Sequence, residues 1–575
     1  MKVYEIITRF IQENHYTQDE NVIGILFYGS SKYGLNNENS DIDLLIIYDD
    51  SDSRNKKFPL IRGNACIDGM RIEYFKKTMQ EVHINAEEDF MTQSNASLSI
   101  IGKAEIIYEK DNAMHFLQEY ILNKFKNGIP PITEDSAKEK LATISNRIER
   151  LEKYAVSKQY GYYFNHLYNL IIEMIRRFYH ELNGIPRIET YKGFKVYTDK
   201  KYQDMFSIGC VPEPEFLQMY FELVQNKEKT PEEKLEEIRQ FYDYAKKGLD
   251  FDENNHRISI KSRNYEDVVI NDSADLDGIE LNTPIIPKDT FDAVIKFIEE
   301  MHYMEDEHFL GIIVYGSSLT GFNTESSDID LHVIFDNDNL SRMVRGKSLI
   351  EINGTKIKIE YFEKLIDEEY LMAENEFLHQ DNAALSILGK GSIVFAKDDS
   401  LIKLQKYVLH RFNIELPPLS ADEAKEQISI IDNKIKKLEN LLLEDSSYFY
   451  HFYHIVLEKI RETYHKILGI SQISTDKVPR IYTDASYRNA VCKKNPPQDF
   501  VDEYLRIASL RGNKKQMLEE LKRLYGKVKQ GIELGDEYSI PIESGLKHLL
   551  LYLKNSSSHN IANSRVLKKQ SISQI

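Results

Sequence analysis

The sequence predicts a mixed-sheet α/β (α+β) domain followed by an all-helical domain, with the pair written twice in tandem. Three observations predict this. The first is an internal repeat: residues 24–47, GILFYGSSKYGLNNENSDIDLLII, return at 311–334 as GIIVYGSSLTGFNTESSDIDLHVI. The offset of 287 residues holds from Arg9/Lys296 through the Pro130-Pro131/Pro417-Pro418 pair. It becomes 285 by Tyr179-His180/Tyr464-His465, and continues through Gly184/Gly469 to Tyr197-Thr198-Asp199/Tyr482-Thr483-Asp484. So long a period marks duplicated domains, since solenoid repeats are 20–50 residues. The second observation is that about the first 110 residues of each copy alternate short β-branched or aromatic runs with helical patterns. The third is that the rest of each copy carries long stretches of 3.6-residue periodicity and no strand pattern.

Taken in order, Tyr4, Ile7, Phe10 and Ile11 have the spacing of an amphipathic helix over 4–14. Val22–Tyr28, Leu44–Tyr48, Met70–Phe75 and Glu105–Tyr108 read as strands. Stretches 135–155, 160–183 and 231–248 read as helices. The expected domains are therefore 1–113 (mixed sheet), 114–250 (helical), 288–400 (mixed sheet) and 401–535 (helical). Segment 251–287, with NDSADLDGIELNTPIIP rich in Asp, Asn and Pro, reads as the linker. The aperiodic end NSSSHNIANSRVLKKQSISQI, 554–575, reads as a mobile tail.

Composition narrows the function classes. The 575 residues are 42% hydrophobic and 29% charged, ordinary for a folded globular chain. No run of 18 apolar residues predicts a membrane span. The opening MKVYEIITRFIQENH lacks the pattern of a secretory leader, and an even spread of only three cysteines (Cys66, Cys210, Cys492) argues against disulfides or a CxxC zinc site. Both features predict a reducing cytoplasm. A net charge of −18 argues against coating bulk nucleic acid, which calls for a basic face.

The chemistry-bearing residues cluster in the first domain of each copy. A strand ending at Tyr28 runs into Gly29-Ser30-Ser31; ten residues separate Ser30 from Asp41-Ile42-Asp43, and Glu73 follows thirty after Asp43. Alternate residues of a strand share a face, so Asp41 and Asp43 project together. Adjacent carboxylates repel unless a cation joins them, and a hard ion that bridges carboxylates to phosphates, Mg²⁺ with Mn²⁺ as substitute, suits that set. Gly29 leaves room for a phosphate, Ser30 and Ser31 offer hydroxyl and N–H donors, and a helix starting there would favour the anion further. Glu73 is the expected third ligand or the general base. A single DxD is a common strand end and a single Gly-Ser a common turn. Here the whole spacing returns as Gly316, Ser317, Ser318, Asp328, Asp330 and Glu360.

These motifs resemble the signature of the polymerase-β-like nucleotidyltransferase superfamily, GS, about ten residues, DxD, then a third acid. GSSLTGFNTESSDIDL in the second copy also looks like the terminal uridylyltransferase and non-standard poly(A) polymerase version. The early third acid, ahead of GKAEIIYEKD (102–111) and GKGSIVFAKD (389–398), is closer in layout to bacterial aminoglycoside-type nucleotidyltransferases, which have a helical C-terminal domain. The resemblance implies that Asp41, Asp43, Asp328 and Asp330 are metal ligands, with Asp43 and Asp330 also catalytic. It makes Glu73 and Glu360 third ligands or catalytic bases. The covalent tandem departs from the antibiotic enzymes, so their substrates do not carry over.

A second constellation recurs in the helical parts: His166, Glu173, Arg176 and His180 match His451, Glu458, Arg461 and His465. Helical geometry puts each set within about 80° of arc. The ordinary account is a solvated face, but Met174/Lys459 and Arg177/Glu462 drift while these do not. Arg176, His180, Arg461 and His465 are therefore the expected contacts to a triphosphate or a polar acceptor. Their R-x3-H spacing is one residue shorter than the R-x4–6-H ribonuclease motif of related helical domains, so RNA cleavage is not expected. Asn95 and Asn382, in the repeated Asn-Ala-x-Leu-Ser-Ile, read as helix caps.

The combined reading is a Mg²⁺-dependent nucleotidyltransferase, of the EC 2.7.7 type, moving an NMP, with AMP first, from NTP to a small hydroxylated acceptor. Untemplated addition to RNA ends and protein adenylylation are the alternatives, and a non-catalytic antitoxin-like module is disfavoured by intact acids in both copies. Lys32-Tyr33 against Leu319-Thr320, Leu45 against His332 and Asn169 against His454 predict two sites that are competent but unequal. The two halves are expected to form an intramolecular pseudo-dimer.

Overall fold

The computed structural model describes residues 2–35, 41–49, 60–206, 209–225, 228–260, 270, 276, 278–281, 284–320, 328–336, 343–352, 354–492, 494–532 and 538–542. The expected tail 554–575 and much of 261–283 lie outside the described residues.

The first mixed-sheet domain runs α1 (Lys2–Glu13), β1 (Val22–Tyr28), β2 (Ile42–Tyr48), β3 (Leu60–Ile67), β4 (Met70–Thr78), α2 (Met79–Met91), β5 (Glu105–Glu109) and α3 (Ala113–Lys124). Helices α4 (Glu134–Val156), α5 (Phe164–Leu182), α6 (Thr190–Thr198), α7 (Lys200–Met205), α8 (Pro214–Val224) and α9 (Pro231–Ala245) follow. After β6 (His256–Ser259) the second copy gives α10 (Lys288–Glu300), β7 (Phe309–Tyr315), α11 (Ser317–Thr320), β8 (Ile329–Phe335), β9 (Val344–Ile352), β10 (Thr355–Leu365), α12 (Ile366–Leu378), β11 (Ser392–Ala396) and α13 (Ser400–Arg411). It ends with α14 (Ala421–Leu443), α15 (Phe449–Leu468), α16 (Val478–Thr483), α17 (Ala485–Val491), α18 (Gln498–Ala508), α19 (Lys514–Lys529) and β12 (Tyr538–Ile542).

Each copy builds a six-stranded mixed sheet, β12-β3-β4-β2-β1-β5 in the first and β11-β7-β8-β10-β9-β6 in the second. VIGILFY and IDLLIIY are buried along nearly their whole length because they are central strands covered on both faces, which is why they read as continuous apolar runs. β2 and β4 run parallel while β1 and β3 flank them antiparallel, and the second copy repeats this with β8, β10, β7 and β9. Strand β3, LIRGNACI, escapes the sequence pattern because its polar residues face the site.

Two strands lie where the sequence reading placed a linker or nothing. β6, inside the expected linker 251–287, follows the first helical domain yet pairs with β9 of the second sheet. β12 follows the second helical domain, past the expected boundary at 535, and pairs with β3 of the first sheet. Each copy thus lends its last strand to the other's sheet, covering an edge that would otherwise present open backbone groups. Four- and five-residue strands whose partners sit far along the chain leave no periodic signal.

The helical domains share one hydrophobic core, in which Leu141, Ile171, Phe216 and Phe241 join Ile431, Val456, Phe500 and Leu521. Between α5 and α15 runs a buried polar seam whose contacts are reciprocal. His166 Nε2 lies 3.4 Å from Glu458 and His451 Nε2 lies 3.7 Å from Glu173. Tyr163 meets Tyr504 at 3.1 Å, and Tyr220 meets Tyr448. His166 Nδ1 meets His454 Nδ1 at 3.1 Å, and His451 Nδ1 meets Asn169 at the same distance. When residue i touches j′ and j touches i′, the contact is isologous, as in a two-fold dimer. Asn95, expected as a cap, instead donates Nδ2 to the Phe206 carbonyl, and the turn at Leu98–Gly102 has no side-chain cap.

Strand exchange makes a clean cut between copies costly. Expressed apart, 1–250 lacks β12 and 251–575 carries β12 with no first sheet to join. We expect each piece to associate or aggregate alone and the mixture to form a 1:1 complex by light scattering. Two stable monomers that ignore each other would refute this.

Candidate active site

The strand register assembles the carboxylates. Asp43 lies opposite Tyr28 on β1 and opposite Glu73 on parallel β4, and Asp330 lies likewise between Tyr315 and Glu360. Residues in lateral register share a face, so Asp43 and Glu73 project side by side with Asp41 two residues before. Gly29 turns the chain at φ +81°, and a Cβ there would stand 1.9 Å from Asp43 Oδ2; Gly316, also at +81°, would stand 2.3 Å from Asp330 Oδ2. Only glycine tolerates both the left-handed backbone and the approach. Ser31 Oγ donates to the Asp41 carbonyl at 2.8 Å, tying the turn to β2. The Ser30 carbonyl accepts from Tyr33 and Leu35, closing a tight loop. In the second copy Ser317 and Ser318 open the four-residue helix α11, and Ser318 Oγ reaches the Tyr315 carbonyl at 3.3 Å.

Burial and mutual repulsion dominate the electrostatics. Burial, then the charges of Glu73 and Asp41, push the Asp43 carboxyl up to about 8. Burial raises Asp41 to about 6 against the pull of Arg71, whose Nε is 3.6 Å away. Asp330 rises to about 7 through burial and Glu360. Glu73 is turned to Arg62, with Nη2 at 2.6 Å and Nε at 2.9 Å, and Glu360 to Arg345, with Nη2 at 2.8 Å. Among the described residues no three His, Cys, Asp or Glu side chains already encircle a metal position. The donor set of the first copy nevertheless fits a hard cation. The half-buried Asp41 and Asp43 crowd together with only Arg71 among the described residues in direct contact, and Asn64, opposite Glu73 in register, holds a buried Oδ1 with no hydrogen-bond partner.

The sequence reading missed the cations that face these acids. Lys192 on α6 and Lys437 on α14, from different helical domains, both act on Asp43 electrostatically. Glu189 joins them, 3.4 Å from Lys192 and 3.3 Å from Lys437, and the two lysines hold its carboxyl well below the usual range. Lys477 and Arg150, the repeat-equivalent pair, act on Asp330 in the same way. The signal was in the sequence: a cation survives at 192/477 and at 150/437. Its use depends on a helix of the opposite copy, which no local pattern announces.

The stripe expected to meet a ligand lies elsewhere. Arg176 is buried and spends its guanidinium on Glu173, the Tyr197 hydroxyl and the Ile188 carbonyl. His180 donates Nδ1–H to the Pro186 carbonyl and accepts from Tyr197 at 2.6 Å; burial lowers it to about 3. Arg461 and His465 repeat this with Glu458, Ile473, Ser471 and Tyr482. These four are corrected from ligand contacts to interior clamps. Their bonds to the carbonyls of Pro186, Ile188, Ser471 and Ile473 hold the segments that lead into Lys192 and Lys477. Asn169 and His454, expected to tune substrate choice, lie in the seam between helices.

A family model described as "Nucleotidyltransferase domain" matches residues 5–120 and 294–389. Among solved structures, the chain is similar to a nucleotidyltransferase-like protein from Exiguobacterium sibiricum 255-15. That match is 14% identical, covers 42% of this chain and 74% of that one, and has a TM-score of 0.26. No curated protein matches.

A raised carboxyl predicts a signed pH effect. Unfolded Asp titrates near 3.9, so folded Asp43 binds a proton that the unfolded chain has released, and stability falls as pH rises toward about 8. In chelator, Asp43→Asn should raise Tm by a few degrees at pH 8, with the gain shrinking as pH falls and vanishing only near pH 4, where the unfolded carboxyl is protonated as well. An equal gain at both pH values would refute the buried charge.

Proposed function

We propose that the chain is a nucleotidyltransferase that moves an NMP, AMP first, from an NTP to a small hydroxylated acceptor. The observation that carries the reading is the lateral register of Asp43 with Glu73, beside a glycine turn that no side chain could occupy. The two family-model matches, each spanning one such register, support the general transfer. Mg²⁺ held by Asp41 and Asp43, with Glu73 as the third carboxylate, would supply charge neutralisation at the phosphates.

The chain's own residues supply position. Gly29 admits the phosphates, Ser30 offers its hydroxyl and N–H, and Lys192 with Lys437 attracts the triphosphate from two sides. The acceptor oxygen attacks the α-phosphorus in line and forms the new O–P bond. The bond from that phosphorus to the bridging oxygen breaks, and pyrophosphate leaves. Glu73, bound to Arg62 in the structure, would be the carboxylate that takes the acceptor's proton. Because Lys437 belongs to the second copy's helix, the two halves work as an intramolecular pseudo-dimer. The −18 net charge favours a small acceptor over bulk RNA.

The test is incubation with each α-labelled NTP, Mg²⁺ and a panel of aminoglycosides, RNA and cell extract, following the label. Label on a small hydroxylated molecule is expected; label confined to RNA or protein would replace the acceptor class. Lys437→Ala should lower transfer at the first site about 10- to 100-fold with unchanged thermal unfolding. Undiminished transfer would remove the second copy from that site.

A further inference from the structure

The two carboxylate clusters differ at one buried position. Asn64 pairs with Glu73 across β3 and β4, and Lys347 pairs with Glu360 across β9 and β10, so they occupy the same place in the two sheets. The second copy is four residues shorter before this position and four longer between it and the third acid, so the 287-residue offset on either side hides the equivalence. Lys347 is 2% exposed, and its ammonium lies 3.4 Å from Asp328 Oδ2. It also lies 3.5 Å from Glu149 Oε1 and 3.0 Å from Asn146 Oδ1, both on α4 of the other copy. Asn146 Nδ2 reaches both Glu360 oxygens at 3.3 Å, and Arg345 Nη1 donates to Thr143 at 2.9 Å. Helix α4 is thereby tied across the second cluster by four side-chain contacts.

On α14 the repeat-equivalents of Thr143, Asn146 and Glu149 are Ile430, Asn433 and Lys436. Ile430 has no polar side-chain atom, and Lys436 reverses the charge of Glu149. Where the second cluster has Lys347 on the sheet and Glu149 on the helix, the first has Asn64 on the sheet and the exposed Lys436 at the equivalent helix position. A lysine against an asparagine is a full unit of positive charge, and Asn64 keeps its buried Oδ1 unpaired.

We propose that Lys347 is the resident cation of the second cluster, and that the chain therefore binds a divalent ion at its first cluster alone. This rests on the reading of the carboxylates as a metal site. An ammonium beside Asp328 supplies the charge a metal would bring and repels a second cation. The ties to α4 hold it there, so a metal would have to displace a buried, hydrogen-bonded ion pair. The second cluster then serves to fasten α4 to the second sheet, while the first, whose Asp41 faces only the partly exposed Arg71 guanidinium at 3.6 Å among the described residues, has no buried ammonium there for a metal to displace.

The experiment counts Mn²⁺ bound to the full chain by equilibrium dialysis with electron paramagnetic resonance of the free ion. The wild type is expected to bind one Mn²⁺, and Asp43→Asn to bind none. Lys347→Asn, with Lys347→Gln as a second variant, should add a second Mn²⁺ by raising affinity at the second cluster at least about tenfold. In the Asp43→Asn background, Lys347→Asn should restore one ion; Asn64→Lys should abolish the first. Two equal sites in the wild type, or no gain in either Lys347 variant while Asp43→Asn still loses its ion, would overturn the inference and leave the metal reading intact. No Mn²⁺ in any form would overturn both.

Discussion

Everything else in this molecule depends on the packing of α5 against α15. Those helices bury His166, Glu173, His451 and Glu458 in one seam, and a buried carboxylate without a partner would be prohibitively costly. Each glutamate meets an arginine of its own helix and a histidine of the other. Satisfying both requires both helices, so neither copy completes its polar interior alone. With the two helices set, the exchanged strands β6 and β12 fall at the free edges of the opposite sheets.

The same seam places the cations of the candidate site. Arg176 and His180 reach from α5 to the carbonyls of Ile188 and Pro186, fixing the turn that leads to Lys192. Helix α14 packs beside α15 and brings Lys437 across to the first copy's Asp43. A chain carrying a net charge of −18 thus gathers positive charge where its acids crowd, by drawing it from two domains that are far apart in sequence. That placement is what electrostatic preorganisation requires: charges held by the fold before any ligand arrives.

How much was legible follows from how local each feature is. The repeat and strands β1, β2, β4 and β5 were readable, because central strands announce themselves as apolar runs and the acids interrupt them twice at the same spacing. The gathering of Asp41, Asp43 and Glu73 followed from period-2 geometry, and register placed it. β3 was not readable, since Arg62 and Asn64 break its apolar pattern by facing the site. β6 and β12 were not, because their partners belong to the opposite copy. The Arg176/His180 stripe repeats in both copies, yet repetition does not say whether a ligand or a neighbouring segment needs a residue. Lys192 and Lys437 were passed over for the converse reason: a lone lysine on a helix looks solvated until the tertiary partner is known.

Duplication within one chain permits what a dimer of identical chains forbids. In a homodimer, any substitution that fastened a helix over one site would fasten it over both. Here Glu149 and Lys436 occupy equivalent helix positions with opposite charge, and their sheet counterparts changed with them, lysine in one copy and asparagine in the other. Such paired divergence leaves the shared fold intact, because strand register, glycine turn and the helix seam are untouched. Under the metal assignment proposed above, it lets one cluster fasten the halves together while the other holds a cation.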